Sequence, residues 1–289
     1  MLALLHTSPA HVPVFDALRD EDHQGLELRH FVDEELLARA RREGPEAVAD
    51  EVRAVLFRAV AEGARALLCT CSTIGGVVEA AGAEAGLPVL RSDRPMAAAA
   101  VAAGSRIMVL ATVESTLEPT VSLIEEEARR AGCSVGVEAR LGGRPVGEEA
   151  GRAGRPVGEE ALGGGRPVVE EAGCGGFPVG AEVRRGGRRD EHEDRRAGLP
   201  VAVEARLGGG PVEVRTRLVE GAWECFAAGD DEGCARLVAV AADAVADADV
   251  IVLAQGSMAP AQQLTTTPVP VLSSPRAGLA AGAAAALGG

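Results

Sequence analysis

The 289-residue chain contains no lysine, no asparagine and no tyrosine. The codons of all three are poor in G and C, so the gap reads as the mark of a GC-rich genome rather than a structural demand. It still excludes chemistry. Without lysine there is no internal Schiff base to pyridoxal phosphate and no P-loop lysine, which favours cofactor-free catalysis; the expectation is no cofactor and no metal. Long apolar runs are also missing. No stretch of about 18 apolar residues occurs, and Met1 leads straight into a strand-like Leu-Ala-Leu-Leu-His-Thr with no basic region before it. Neither a membrane span nor a secretion signal is expected. Six cysteines without such a signal read as free thiols of a cytoplasmic protein. Clustered cations are scarce, confined to Arg184 to Arg189 and Arg195-Arg196, and the formal net charge is −14. That balance argues against nucleic acid as a partner. It also repels anions at long range, so a carboxylate would have to be held locally by backbone N–H groups and helix N-termini. A second copy of the chain stays open as a partner.

Residues 134–210 form a tandem expansion. Proline recurs at 145, 156, 167, 178, 200 and 211, always at multiples of eleven, with Ser134 and Arg189 in the two remaining slots. GRPVGEEA at 143 and 154, GRPVVEEA at 165, GFPVGAEV at 176 and GLPVAVEA at 198 are copies of one unit, and seven units span 77 residues. Setting them aside joins Cys133 to Pro211, leaves 212 residues and turns the junction into an ordinary loop and strand. An eleven-residue period can mark a right-handed coiled coil, but a proline and glycines in most units forbid a continuous helix. With 20 of the 37 glycines, 12 arginines against 13 acidic residues and few large apolar side chains, the segment can bury little area to offset its ordering entropy. The expectation is a disordered or weakly ordered excursion; the rival is a stack of short strands.

The remainder alternates continuous apolar strands with amphipathic helices, which implies parallel sheets covered on both faces. Strands are expected at Leu2 to Thr7, Leu26 to Val32, Ala66 to Thr70, Val89-Leu90, Arg106 to Ala111, Val212 to Leu218, Val250 to Ala254 and Val271-Leu272. Helices fall between them, with a break near Gly44-Pro45. The two halves also repeat each other. ARALLCTCSTIGG at 64 and LPVLRSDRPMAAAAVAAG at 87 match ADVIVLAQGSM at 248 and VPVLSSPRAGLAAGAAA at 269, with a gap of two residues between. The fold class is α/β: two similar lobes related by a pseudo-two-fold, residues 1–104 and 105–289, the second interrupted at 134–210.

In that register Cys71 falls on Gln255, so a thiol faces a carboxamide and only one wall of a cleft between the lobes carries a group that exchanges protons near neutral pH. Cys71 follows a buried strand and precedes Ser72, Thr73, Ile74 and Gly75-Gly76, where a helix begins. A thiol at a helix N-terminus is favoured as the thiolate, and the turn offers N–H groups to a carboxylate. Cys69 lies deeper on the same side and reads as a small buried apolar residue, since a CxC metal pair has no clear companion ligands. Thr112, Ser115 and Thr116 end another strand, where they either hold a carboxylate or cap the helix from Leu117. His6, Thr7 and Ser8 end the first strand, with His6 a candidate proton relay or carboxylate contact. Gln255, Gly256 and Ser257 line the opposite wall. Cys133, Cys174, Cys225 and Cys234 receive no role.

CTCSTIGG at the end of one strand, ATVEST at residues 111–116 at the end of another, and the duplicated lobes resemble the aspartate/glutamate racemase superfamily, which includes hydantoin racemases, maleate isomerases and arylmalonate decarboxylases. The likeness covers most of the 212 residues outside the expansion. It implies two cysteines, one per lobe, on opposite sides of a substrate's α-carbon, one taking a proton and the other returning it. Cys71-Ser72-Thr73 matches the first-lobe motif; Gln255 stands where the second cysteine belongs. The arylmalonate decarboxylases also keep one cysteine, but in the other lobe. Three readings follow: a racemase or isomerase acting next to a carboxylate through one thiol, a decarboxylase or lyase of malonate-like diacids, and a non-catalytic small-acid binding paralogue.

Overall fold

Runs of apolar residues too short for helices become the strands of two parallel sheets. β1 (Leu2–His6), β2 (Leu28–Val32), β3 (Ala66–Cys69) and β4 (Val89–Arg91) form the first, in the order β2-β1-β3-β4. β5 (Arg106–Ala111), β6 (Glu213–Leu218), β7 (Val250–Leu253) and β8 (Val271–Leu272) form the second, in the order β6-β5-β7-β8. This is a computed structural model describing residues 1–135 and 211–288, which all fall in one compact unit. The tandem expansion from residue 136 to 210, with the expectation about its order, lies outside the described residues.

Alternation along the strands fills four cores. Leu2 and Leu4 enter one and Ala3 and Leu5 another; Ile107 and Val109 part from Met108 and Leu110 in the same way. With both faces buried, the inner strands β1, β3 and β7, and β5 after Arg106, carry almost no polar residues until their C-terminal ends, whereas the edge strands β2 and β6 keep arginines and other polar residues on their open side. Each fully buried leucine or isoleucine contributes about 1.5–3 kcal/mol relative to exposure.

Nine helices cover these faces among the described residues: α1 (His11–Asp22), α2 (Glu34–Glu43), α3 (Ala49–Ala61), α4 (Gly75–Ala85), α5 (Arg94–Ala103), α6 (Leu117–Arg130), α7 (Ala222–Ala227), α8 (Asp231–Asp243) and α9 (Pro275–Gly288). The break at Gly44-Pro45 is where it was expected: Gly44 takes φ +93° and Pro45 opens a short 3-10 turn. α1 starts at His11, two residues before Pro13. Pro13 sits within its first turn, where N–H groups have no helical partner, so the proline does not delay the start. None of the helices in the described residues is long and apolar enough to cross a membrane.

Two boundaries differ from the sequence reading. The cut at residue 104 does not isolate a core. α5 follows β4 of the first sheet, yet Met96, Ala97 and Ala100 pack with Ile107, Val109 and Val250 of the second. α9 follows β8 of the second sheet, yet Leu279, Ala283 and Ala286 pack with Leu2, Leu4 and Leu68 of the first. Each lobe thus lends its last helix to the other. Gly278 permits the crossing, since a Cβ there would lie 2.6 Å from the Ser92 backbone. The start of the expansion also moves: Ser134 and Val135 belong to the fold, with Val135 bridged to Val212 and the Val212 N–H donating to Ser134 O at 2.8 Å.

Candidate active site

In parallel sheets the loops after the strand C-termini carry the groups a substrate meets. Here the turns after β1, β3 and β7 meet at one cavity of about 280 Å³, near the small end of ligand sites. The two sheets are pinned together at its floor, where Ser72 Oγ donates to the Ala254 carbonyl at 3.1 Å. Cys71, half-buried, lines the cavity beside Ser72 and Thr73; Thr7 and Ser8 come from the end of β1, Thr116 from the turn before α6, and Gln255, Gly256 and Ser257 from the end of β7. The Thr73 hydroxyl is buried without a hydrogen-bond partner, a donor left for a ligand to satisfy.

Three residues expected at the cavity, His6, Thr112 and Ser115, are not among those that line it. Thr112 is buried beneath Gln255: its N–H donates to Gln255 Oε1 at 2.7 Å, and Gln255 Nε2 donates to its hydroxyl at 2.8 Å. The carboxamide at the position matching Cys71 is therefore fastened to its own lobe. Ser115 accepts from Arg41 Nε at 3.2 Å. Thr116 directs its hydroxyl to the Val113 carbonyl at 2.9 Å rather than capping α6.

His6 is fully buried behind the floor, which corrects its role as a carboxylate contact. Its Nδ1 meets Thr70 Oγ1 at 2.9 Å and its Nε2 meets His30 Nδ1 at 2.8 Å, while His30 Nε2 lies 3.4 Å from Asp16. Thr70 Oγ1 donates to Leu5 O at 3.2 Å, so Nδ1 of His6 carries the proton in that pair. Burial first, then neighbouring His30 and His11, push the His6 imidazole down to about 3, which keeps it neutral across the physiological range. Cys69 is 1% exposed in the first-sheet core, as expected; burial, and then Cys71 beside it, raise its thiol far above the usual range.

The Cys71 turn rests on a buried ion pair that the sequence reading missed. Arg91 and Asp93 pair through Nε to Oδ1 at 2.9 Å and Nη2 to Oδ2 at 2.8 Å, and Nη2 also donates to the Ser72 carbonyl at 3.4 Å. α4 enters directly against the guanidinium: a Cβ at Gly75 would lie 2.6 Å from Arg91 Nε. The register could have hinted at it, because Arg91 matches Ser273 in the second lobe.

Two helices without any motif close the cavity. Leu37, Ala38 and Arg41 of α2 line one side and Trp223 and Phe226 of α7 another. The two rings lie 5.7 Å apart, and the Arg41 guanidinium sits 5.5 Å from the Trp223 ring, joining α2 of one lobe to α7 of the other. His11, at the start of α1, is also in the lining. The only signals available were that Trp223 is the sole tryptophan and that His11 follows a strand end.

Compared with known proteins, the sequence matches no family model and no curated sequence. In structure it is similar to a Yersinia pestis protein described as a "putative Asp/Glu Racemase", with a TM-score of 0.54 and 12% identity, over 99% of this chain and 98% of that one. The likeness shows the fold, which is the fold implied by the resemblance of the strand-end motifs.

Proposed function

We propose that this protein is a cofactor-independent racemase or isomerase acting at the carbon next to a carboxylate, with Cys71 as acid/base. One observation carries the reading: Cys71 shares a small cavity, at the joined ends of two parallel sheets, with Ser8, Thr73 and Ser257, whose hydroxyls are not donated to other groups among the described residues. Removing an α-proton leaves negative charge on the carboxylate as an enediolate, and neutral hydroxyl donors within hydrogen-bond reach of it would stabilise that charge. A thiol is strong enough an acid and a good enough base to move the proton, and general acid–base catalysis of this kind contributes about 10²–10⁴ in rate. With the chain at −14 overall, such local donors are what hold the carboxylate. The apolar wall of Leu37, Trp223 and Phe226 gives the rest of the substrate a place. The racemase description of the structural neighbour agrees with this reading at the level of fold.

A second reading is decarboxylation of a malonate-like diacid. It is favoured by Gln255, whose carboxamide cannot relay protons, because a carbanion left by loss of CO₂ needs protonation from one side only. Incubating the protein in deuterated water with enantiopure amino and hydroxy acids, and separately with substituted malonates, tells the two apart. Cys71-dependent inversion accompanied by α-deuterium supports the racemase, and Cys71-dependent CO₂ release supports the decarboxylase. Ligand-induced thermal stabilisation that survives Cys71→Ala, with neither activity, would leave only a binding protein.

A further inference from the structure

Gln255 leaves the end of β7 without a group that exchanges protons, yet an imidazole stands beside it. His11 lines the same cavity as Cys71. It belongs to α1, a helix of the first sheet, but its ring reaches the tip of the second: a Cβ built on Gly256 would lie 3.7 Å from His11 Nε2. That is ordinary contact distance, so the imidazole lies directly against the residue after Gln255. Two proton-exchanging groups therefore border one cavity, Cys71 at the tip of β3 and His11 against the tip of β7.

His11 also lacks the bonding of a structural histidine. Its Nδ1 is buried with no hydrogen-bond partner, and an orphaned buried nitrogen costs about 1–3 kcal/mol. Its ring neighbour His6, at 6.2 Å between centroids, spends both nitrogens on Thr70 and His30. Burial holds the His11 imidazole below the ordinary histidine range, so near pH 7 it is neutral and able to accept a proton.

We infer that His11 is a second proton-transfer residue of this site, acting on the face of the substrate's α-carbon that Cys71 does not reach and replacing the thiol that the second lobe lacks. This rests on the α-carbon reading above. In one direction the neutral imidazole takes the α-hydrogen as a proton and becomes imidazolium. The C–H electron pair stays in the enediolate, and the Cys71 thiol then gives its proton to the other face and becomes thiolate. In the reverse direction the thiolate takes the proton and the imidazolium returns one. No electron is gained or lost and no co-reactant is consumed.

The test uses the full chain as wild type, Cys71→Ala, His11→Gln and His11→Phe, the last keeping the ring volume should glutamine disturb folding, each checked by its melting temperature. Both enantiomers of aspartate, phenylalanine and phenylglycine are incubated in deuterated water, and α-deuterium and enantiomeric ratio are followed. The wild type is expected to invert its substrate. Each variant loses inversion by about 100-fold or more but still exchanges one enantiomer, and the Cys71 and His11 variants exchange opposite ones. Inversion at the wild-type rate in the His11 variants, or the same enantiomer exchanged by both kinds of variant, overturns the role of His11 and leaves that of Cys71 standing. A wild type that exchanges no α-hydrogen in this panel overturns the α-carbon reading, and the role of His11 with it.

Discussion

The third strand of each sheet, β3 in β2-β1-β3-β4 and β7 in β6-β5-β7-β8, runs out into the same cavity with different groups at its tip. At the end of β3 the Cys71 side chain is half-buried in the cavity wall, and the turn behind it is propped by the Arg91–Asp93 pair. At the end of β7 the matching side chain, Gln255, spends both its donor and its acceptor on Thr112, and Ser273 stands where the first lobe has Arg91. The scaffold is duplicated, whereas the chemistry is not. A strand pattern tolerates either tip, because the residues after the last ladder hydrogen bond take no part in the sheet. A reactive group on one tip therefore needs its own support, which the other tip does without.

The largest effect expected from this asymmetry is on catalysis. Cys71→Ser should lower enantiomer interconversion by about 10²–10⁴ while moving stability by no more than roughly 0.5 kcal/mol; chiral chromatography and thermal melting measure the two. Removing the prop comes next. Arg91→Met leaves the Asp93 carboxylate, 2% exposed, without its partner and should cost about 3–5 kcal/mol, read from urea unfolding. The double variant Arg91→Met with Asp93→Leu should recover most of that loss, and a single variant as stable as the wild type would mean that the turn does not depend on the pair.

A smaller effect follows from His6, which the register of β1 against β3 and of β5 against β7 matches to Ala111 of the second sheet. Its imidazole is held at about 3 in the folded protein against an ordinary 6.5 when unfolded. Between those values the unfolded chain binds a proton that the folded one does not. The stability it contributes is therefore whole above pH 6.5 and falls as acid is added, by about 1.4 kcal/mol per unit. From pH 7 to pH 5 that is a loss of about 2 kcal/mol, and His6→Gln should flatten the dependence over that window. The smallest effect belongs to the other tip: Gln255→Ala should cost about 1–3 kcal/mol through the stranded Thr112 N–H and lower turnover far less than Cys71→Ser does.

Periodicity made the architecture legible, because the inner strands are buried on both faces and β1, β3, β5 and β7 read as apolar runs that give way to polar residues at their C-terminal tips. The break at Gly44-Pro45 and the strand from Arg106 to Ala111 were visible for the same local reasons. The exchange of α5 and α9 was not, since sequence order places a helix beside the strand it follows and only the packing of Met96 and Leu279 reveals the crossing. At the site, the strand-end residues Cys71, Ser72, Thr73 and Gln255 announced themselves through the internal repeat. His11, Arg41 and Trp223 did not, because they come from helices whose cavity-facing residues carry no spacing of their own. His6 misled: a histidine at a strand tip looks like a relay, but its ring turns inward to Thr70 and His30.

That a single thiol at the tip of β3 exchanges a proton with the carbon beside a carboxylate is tested most directly by proton NMR of an enantiopure substrate in deuterated water, with wild type and Cys71→Ser side by side. The α-proton signal should fade and the enantiomers should mix with the wild type, while the variant leaves the enantiomeric ratio where it began. Enantiomers that mix equally fast with both proteins would contradict the assignment.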